Sequence, residues 1–279
     1  MIKRTIDYFD IGQICNSGQC FRMDRTGENT YGIIASGRYL EVRQKGKECT
    51  FFCQEEEFED FWRNYFDLEK DYGAYIAQAD PEDRYLVNAV RAGCGIRILR
   101  QDLWEMTASF LISQQNNIQR IRKCICNLCE RYGEERVNFR GEQYYTFPAP
   151  EALAGLHEDE LKKCNLGYRS RYVVRTARSV VNGEVDFSLL SGMKYEEARA
   201  ELLKLYGVGK KVADCICLFG LHKLEAFPVD THILQAAEKH YGGRFPKERY
   251  RGFEGVMQQY IFYWEICGKT AGRQGSRSV

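Results

Sequence analysis

Excess charge and long apolar runs are both missing from this sequence of 279 residues. Its 40 Lys and Arg residues face 39 Asp and Glu residues, so the formal net charge is +1 at pH 7. That balance excludes a polycation that coats nucleic acid nonspecifically, and a nucleic-acid enzyme would have to concentrate its positive charge at one site. No apolar run is long enough to span a bilayer, and no secretory signal is recognisable after Met1. We therefore expect a cytoplasmic protein without a membrane segment.

Cysteine is abundant, but a metal-binding arrangement of cysteines is missing. Of the 12 cysteines, Cys124, Cys126 and Cys129 lie close together in a stretch with helical character. No second pair follows at zinc-finger spacing, and only Cys267 follows Cys217, which also excludes a run of four iron–sulfur ligands. We expect reduced thiols in a helical core and no metal site.

The N-terminal part of the chain has the pattern of an antiparallel sheet. Within residues 1–53, three strand-like segments are separated by short turns: 31–35, 38–43 and 48–53. Sequential hairpins of this kind imply antiparallel pairing. Large aromatic residues then recur at helical spacing: Phe58, Phe61, Trp62 and Tyr65. They predict an amphipathic helix that covers the sheet.

From about Pro81 onward the chain has helical character, and no internal repeat is evident. The fold class is therefore α+β, with an N-terminal antiparallel β-sheet domain followed by an all-helical body. We place the sheet domain with its covering helix at 1–80 and the helical body at 81–268. The polar residues 269–279 are predicted to be a disordered tail.

The most informative stretch is a pair of glycines between two helical patterns, within residues 194–219. Gly207 can end the first helix because glycine adopts a positive φ without a Cβ clash. Gly209 starts the second helix, where free N–H groups attract phosphate. This arrangement predicts a helix-hairpin-helix that holds a nucleic-acid backbone. Taken alone, it also fits an ordinary turn beside a solvated lysine.

An amine and a carboxylate accompany this hairpin. Lys211 lies in the first turn of the second helix and shares a face with Cys215, and Asp230 follows Lys211 by 19 residues. An amine attacks only when neutral, so burial or a neighbouring cation such as Lys210 must lower its pKa. A carboxylate beside a sugar carbon stabilises oxocarbenium-like charge as a base departs. Asp230 also fits a plain helix N-cap, and the two roles are compatible.

Four further segments complete a resemblance that covers nearly the whole chain: 16–22, 113–120, 165–172 and 255–262. With the hairpin, they resemble the 8-oxoguanine DNA glycosylase/AP lyase family of the helix-hairpin-helix glycosylase superfamily. The resemblance implies a bifunctional enzyme that flips 8-oxoguanine out of duplex DNA, opposite cytosine, and excises it. Lys211 would form a Schiff base and the strand would then be cleaved by β-elimination, with Asp230 assisting base departure.

By resemblance, four residues form the base site: Gly18, Cys215, Gln258 and Phe262. Oxidation turns guanine N7 from an acceptor into a donor, so the fixed carbonyl of Gly18 would accept from 8-oxoguanine and repel guanine. Cys215 and Phe262 would lie on opposite faces of the base, and Gln258 would bond to its Watson–Crick edge. Gly18 also fits an ordinary turn before a strand, and Phe262 an ordinary core position.

The resemblance also implies a set of DNA contacts: Gln115, Asn116, Arg120, Tyr168, Arg169, Gly207, Gly209 and His232. Gln115 and Asn116 would fill the gap left by the extruded base, although the family normally has asparagine where this chain has Gln115. Tyr168 would act as a wedge in the duplex. Arg120 and Arg169 would contact the estranged cytosine. Because this chain has Gln115 in place of the usual asparagine, the resemblance leaves open how strictly cytosine is required opposite the lesion.

The expected partner is duplex DNA containing 8-oxoguanine, bound by a monomer in the cytoplasm, in association with the nucleoid if the source is bacterial. The resemblance implies no cofactor beyond a monovalent cation at the hairpin. Two alternatives remain. An alkylated-base glycosylase of the same fold would lack the lysine and use the aspartate alone, against which Lys211 and Gly18 argue. A non-enzymatic helix-hairpin-helix DNA-binding protein would need none of Asp230, Gln258 and Phe262.

Overall fold

The structure, a computed structural model, describes residues 1–268, so the tail predicted for 269–279 lies outside the described residues. The N-terminal part of these residues forms an antiparallel five-stranded sheet in the order β1-β5-β4-β3-β2. The strands are β1 Ile2–Thr5, β2 Met23–Gly27, β3 Thr30–Ala35, β4 Arg38–Lys45 and β5 Glu48–Phe51. The predicted antiparallel sheet is confirmed, and its three predicted strands correspond to β3, β4 and β5.

Cross-strand pairs of buried apolar residues hold the sheet together. In β3 and β4, Ile33 pairs with Leu40, and in β4 and β5, Val42 pairs with Phe51. All four side chains are buried. Such pairs stabilise a sheet because neighbouring side chains on one face pack directly against each other.

The predicted covering helix is present, and it contains a π-helical turn. It consists of α2 Glu55–Glu57, the π turn Phe58–Trp62 and α3 Arg63–Tyr65. Phe58, Trp62 and Tyr65 are buried in the core of the sheet domain. The ring centroids of Phe51 and Phe58 are 4.8 Å apart. A π turn adds a residue to the helical repeat.

The rest of the described chain is mainly helical. From residue 72 onward, the α-helices of five or more residues are α4 Tyr72–Ile76, α5 Arg84–Gly93, α6 Leu103–Ser113, α7 Ile118–Tyr132, α8 Pro150–Ala154, α9 Arg169–Val181, α11 Tyr195–Leu202, α12 Lys210–Phe219, α13 Thr231–Tyr241 and α14 Glu254–Tyr263. The four-residue helix α10 Phe187–Leu190 lies in the same part of the chain, and α1 Ile11–Asn16 lies between β1 and β2. No helix among residues 1–268 is long and apolar enough to cross a membrane.

A short β-hairpin interrupts the helical body, and the sequence pattern does not predict it. Its strands are β6 Glu135–Val137 and β7 Gln143–Tyr145. It rests on the N-terminal sheet through an ion pair between Arg140 and Glu41 and a hydrogen bond from the Tyr144 hydroxyl to the Gly37 carbonyl. Because each strand has three residues that are mostly exposed, the segment has too little periodicity to be recognised.

A buried carboxylate links the sheet domain to the helical body through hydrogen bonds. Asp67 is 3% exposed and accepts hydrogen bonds from Tyr72 at 3.1 Å and from Arg100 at 2.9 Å. His222, just after α12, lies 3.3 Å from the same carboxylate. Burial alone would raise the pKa of Asp67, but the hydrogen bond and charge of His222 and the charge of Arg100 outweigh it and lower the pKa.

We expect Asp67→Asn to lower the free energy of unfolding by about 2 kcal/mol at pH 7, because it removes the charged acceptor of the hydrogen bonds from Tyr72 and Arg100. Since the folded-state pKa is lowered, the stabilisation is present above the unfolded pKa of about 4 and is lost as pH falls through the folded-state pKa. Urea unfolding from pH 7 down to pH 3 measures the difference from the parent protein, with the exposed Asp60→Asn as the matched control. Equal stability of the parent and Asp67→Asn at pH 7 would contradict this role.

Candidate active site

A cleft and a smaller cavity meet where the hairpin, α13 and α14 approach the segment before β2. The cleft has a volume of about 890 Å³ and its walls include Gln115, Asn116, Gly209 and His232. The cavity behind it has a volume of about 50 Å³, and its walls include Gly18, Lys211, Cys215, Asp230, Gln258 and Phe262. Those six are the catalytic and base-binding residues predicted from the sequence, brought together from four separate stretches of the chain.

Lys211 is the second residue of α12, two positions after the N-cap Gly209. Its Nζ is 5.2 Å from the ring centroid of Phe110, a cation–π distance. Burial raises the pKa of the neighbouring Cys215 thiol to about 11, and the nearby Lys211 amine opposes that rise. The amine therefore sits half-buried between an aromatic ring and a thiol, at the point where the cleft and the cavity meet. The sequence did not indicate Phe110 as a site residue, because Phe110 is one of many apolar residues in α6 and has no distinguishing neighbours.

Asp230 is the N-cap of α13, as the sequence indicates. Its Oδ1 accepts a hydrogen bond from the backbone N–H of Ile233 at 2.9 Å. Within residues 1–268 no protein donor bonds to its Oδ2. Asp230 also lines both the cleft and the cavity. Capping thus occupies one carboxylate oxygen and leaves the other for chemistry in the cavity.

Gly18 has a backbone conformation and a neighbour that both require glycine. Its φ is +74°, in the left-handed region, and a Cβ at this position would lie 2.9 Å from Cε1 of Phe262. The Phe262 ring therefore packs directly against the Gly18 backbone, and the exposed His232 ring approaches it edge-on, with the ring centroids 5.8 Å apart. Phe262 is half-buried, and it packs against the core of the helical body on one side and lines the cavity on the other.

Gln258 presents an unpaired acceptor. Its side chain is 4% exposed, and its Nε2 donates to the Pro228 carbonyl at 3.1 Å. Its Oε1 is buried and has no hydrogen-bond partner among the described residues. A buried polar atom without a partner costs about 1–3 kcal/mol, so an amide oxygen left unpaired in a cavity wall points to a ligand that donates to it.

The predicted gap-filling loop is held by Arg169. Gln115 is exposed, with φ +48°, and its Oε1 accepts from the Tyr168 hydroxyl at 3.3 Å. The Arg169 guanidinium is 3% exposed and donates to the carbonyls of Gln114 at 2.7 Å and Gln115 at 2.8 Å. In this structure Arg169 therefore positions the loop, and reading a cytosine would require it to leave these carbonyls. Asn116 is tied to the end of α6 through the Ile112 carbonyl.

The hairpin turn is tightly packed on one side and open on the other. Gly207 has φ +87°, and a Cβ there would lie 2.6 Å from Cγ of Tyr172, whereas a Cβ on Gly209 would meet nothing within 4 Å. The Gly207 carbonyl accepts from Gln114 Nε2 at 3.1 Å, which links the hairpin to the gap-filling loop. Arg120 is exposed in the first turn of α7. The open side of the turn is where a phosphate can approach.

The cysteine-rich stretch forms part of α7. Cys124 and Cys129 are buried, Cys126 is exposed, and burial raises the pKa of Cys129 to about 12. Among residues 1–268, no group of three or more His, Cys, Asp or Glu side chains is placed to hold a metal ion.

Comparisons with known proteins identify the family. Residues 1–107 match the family described as "8-oxoguanine DNA glycosylase, N-terminal domain", and residues 108–255 match "HhH-GPD superfamily base excision DNA repair protein". Fold and site together define a helix-hairpin-helix enzyme of base excision repair. Within that class, the chain belongs to the 8-oxoguanine DNA glycosylase/lyase family.

Individual relatives carry corresponding names. A probable N-glycosylase/DNA lyase of Methanothermobacter thermautotrophicus is 30% identical, over 84% of this chain and 80% of that protein. The N-glycosylase/DNA lyase of Saccharomyces cerevisiae is 38% identical over 53% of this chain, but the match spans only 42% of that protein. Among solved structures, the Clostridium acetobutylicum 8-oxoguanine glycosylase/lyase, in complex with double-stranded DNA containing cytosine opposite 8-oxoguanine, is 36% identical. It has a TM-score of 0.89 and covers 95% of this chain and 94% of its own.

Proposed function

We propose that this protein is a bifunctional DNA glycosylase/AP lyase that excises 8-oxoguanine opposite cytosine from duplex DNA. One observation carries the proposal: an amine, a carboxylate and an unpaired amide acceptor line a single cavity at the mouth of a helix-hairpin-helix. Neither alternative accounts for all three. An alkylated-base glycosylase would not need the amine of Lys211. A DNA-binding module would not need a carboxylate and an unpaired amide in the wall of one cavity.

The extruded base would enter the cavity between Cys215 and Phe262. At about 50 Å³, the cavity is well below the roughly 300–1000 Å³ of ordinary small-molecule sites. Entry therefore requires the Phe262 ring to move away from Gly18, which it contacts directly. The base would then stack on that ring, and its N1–H or amino group would donate to the unpaired Oε1 of Gln258.

Lys211 would act through the neutral form of its amine, which lies where the cleft and the cavity meet. The amine forms a bond to C1′ as the bond from C1′ to the base breaks and its electron pair leaves with the base. The free oxygen of Asp230 stabilises the positive charge that develops on the sugar. Opening of the sugar ring gives a Schiff base, and loss of a proton from C2′ then expels the 3′ phosphate.

The DNA backbone would be held at the open side of the hairpin, by the N–H groups that follow Gly207 and by His232. Tyr168 would act as the wedge and Arg120 as the reader of the opposite cytosine. The hairpin carbonyls, including that of Gly207, each have a second lone pair that a monovalent cation could share. We propose no other cofactor, and a monomer as the active form.

The test of lesion choice changes the ligand. With Lys211→Gln as a binder that cannot react, we compare duplexes carrying 8-oxoguanine, 8-bromoguanine and 8-oxo-7-deazaguanine. Only 8-oxoguanine presents a donor at position 7 to the Gly18 carbonyl. It should bind about ten- to a hundredfold more tightly than 8-bromoguanine, the value of one buried hydrogen bond. The deaza analogue, which keeps O8 but has carbon at position 7, should lose most of that advantage. Equal binding of the deaza analogue and 8-oxoguanine would mean that Gly18 does not select the lesion.

A further inference from the structure

We propose that Gln259 is a positioning residue that fixes the direction of the Gly18 carbonyl and thereby sets the selectivity for the oxidised base. This inference rests on the proposed function. Gln259 is 1% exposed and follows Gln258 in α14. Its Nε2 donates to the carbonyl of Ser17 at 2.6 Å, across 242 residues of sequence. The last α-helix described is thereby bonded to the peptide immediately before Gly18.

That bond acts on the backbone next to Gly18, the base-site residue with the fewest conformational restrictions. The Ser17 carbonyl belongs to the peptide unit that carries the Gly18 N–H, so fixing it restricts rotation about φ of Gly18. Glycine at φ +74° has no Cβ to limit its conformation. Without the bond from Gln259, the peptide before Gly18 would be free to turn, and the direction of the following carbonyl would turn with it.

The residue after Gly18 is held in a similar way. Gln19 is fully buried, and its Nε2 donates to the Ser17 hydroxyl at 3.0 Å and to the Arg97 carbonyl at 2.9 Å. Its Oε1 accepts from the Leu99 N–H at 2.8 Å. The Gln19 carbonyl in turn accepts from Gln101 Nε2 at 2.9 Å. Buried amides thus secure the residues on both sides of Gly18.

Between these two anchored residues, the Gly18 carbonyl itself is left without a partner. No backbone or side-chain donor within residues 1–268 bonds to it, although the carbonyls of Ser17 and Gln19 both have one. Gly18 lines the inner cavity. An unpaired acceptor between two fixed residues selects a donor on a ligand, because it cannot turn away from an acceptor.

Consecutive residues of an α-helix point about 100° apart, so neighbouring glutamines in α14 serve different partners. The Oε1 of Gln258 lies unpaired in the cavity wall, whereas the Nε2 of Gln259 donates a hydrogen bond to the Ser17 backbone carbonyl. A buried amide is costly unless it is hydrogen-bonded, and an aliphatic side chain would fill the same space without that cost. The bond from Gln259 to Ser17 therefore does more than fill space in the core.

The test uses Gln259→Met, which keeps the length of the side chain and removes the donor. In a Lys211→Gln background, we expect the ratio of affinities for 8-oxoguanine and guanine duplexes to fall by about tenfold, the value of one misdirected hydrogen bond. With Lys211 intact, cleavage of a preformed abasic site should be retained, because no base is read there. Gln44→Met is the matched control, since Gln44 also donates to carbonyls, those of Phe9 and Gly46, away from the cavity.

A second variant covers the case in which Gln259→Met does not fold. In Gln259→Glu, a buried carboxyl has a raised pKa and can donate to Ser17 only when protonated. The affinity ratio should therefore recover as pH is lowered. If either variant folds and keeps the parent ratio at every pH, the inference is wrong. If the Lys211→Gln parent itself shows no preference for 8-oxoguanine over guanine, it is the proposed function that fails.

Discussion

Lys211→Gln is expected to abolish base excision and strand cleavage while leaving the affinity for lesion-containing duplex largely intact. Glutamine has a comparable reach and hydrogen-bonding capacity, but its amide nitrogen is not a nucleophile. Loss of a covalent nucleophile reduces turnover by about 10⁴-fold or more. Single-turnover excision from a labelled 8-oxoguanine duplex measures the chemical step, and equilibrium binding to the same duplex measures retention of the site.

Lys210→Gln is the matched control, because Lys210 is adjacent to Lys211, exposed, and in the same turn of α12. It should keep excision and lose at most some DNA affinity through its charge. If excision survives in Lys211→Gln and disappears in Lys210→Gln, the nucleophile is Lys210 and the assignment to Lys211 is wrong.

Asp230→Asn is expected to slow excision by about 10²–10³-fold, the usual cost of removing one group that stabilises charge in a transition state. Asparagine caps helices about as well as aspartate, so the bond to the Ile233 N–H should persist and the melting temperature should change little. Single-turnover excision and thermal unfolding, measured on the same preparations, separate the two roles.

Asp186→Asn serves as the control for this variant. Asp186 caps α10 through the Ser188 N–H, is exposed, and lies outside the cleft and the cavity. It should leave excision unchanged. If Asp230→Asn excises as fast as the parent protein, Asp230 is a helix cap and nothing more.

Features encoded in a few adjacent residues could be predicted from the sequence. The turn at Gly207, the start of α12 at Gly209 and the cap at Asp230 each follow from local backbone preferences. The strands β3, β4 and β5 follow from alternation and from the turns between them. The family resemblance then supplied the base-binding residues, which the fold brings to one cavity although no local pattern would have grouped them.

Features that depend on contacts between distant segments could not be predicted. The bond from Gln259 to Ser17 joins residues 242 apart, and nothing near either residue indicates the other. Asp67 and His222 meet only when the sheet domain packs on the body. Arg169 has the sequence context of a DNA contact, yet it is buried against the loop carbonyls in this structure, because the loop conformation creates acceptors that the sequence does not reveal.

Borohydride trapping with mapping of the trapped residue tests the central claim most directly. The parent protein is incubated with an 8-oxoguanine duplex and sodium borohydride, and the covalent complex is digested and analysed by mass spectrometry. Reduction of the Schiff base should leave one DNA adduct, on Lys211, and Lys211→Gln should give none. An adduct on another lysine or on an N-terminal amine, or excision that proceeds without any trapped complex, would contradict a mechanism through Lys211.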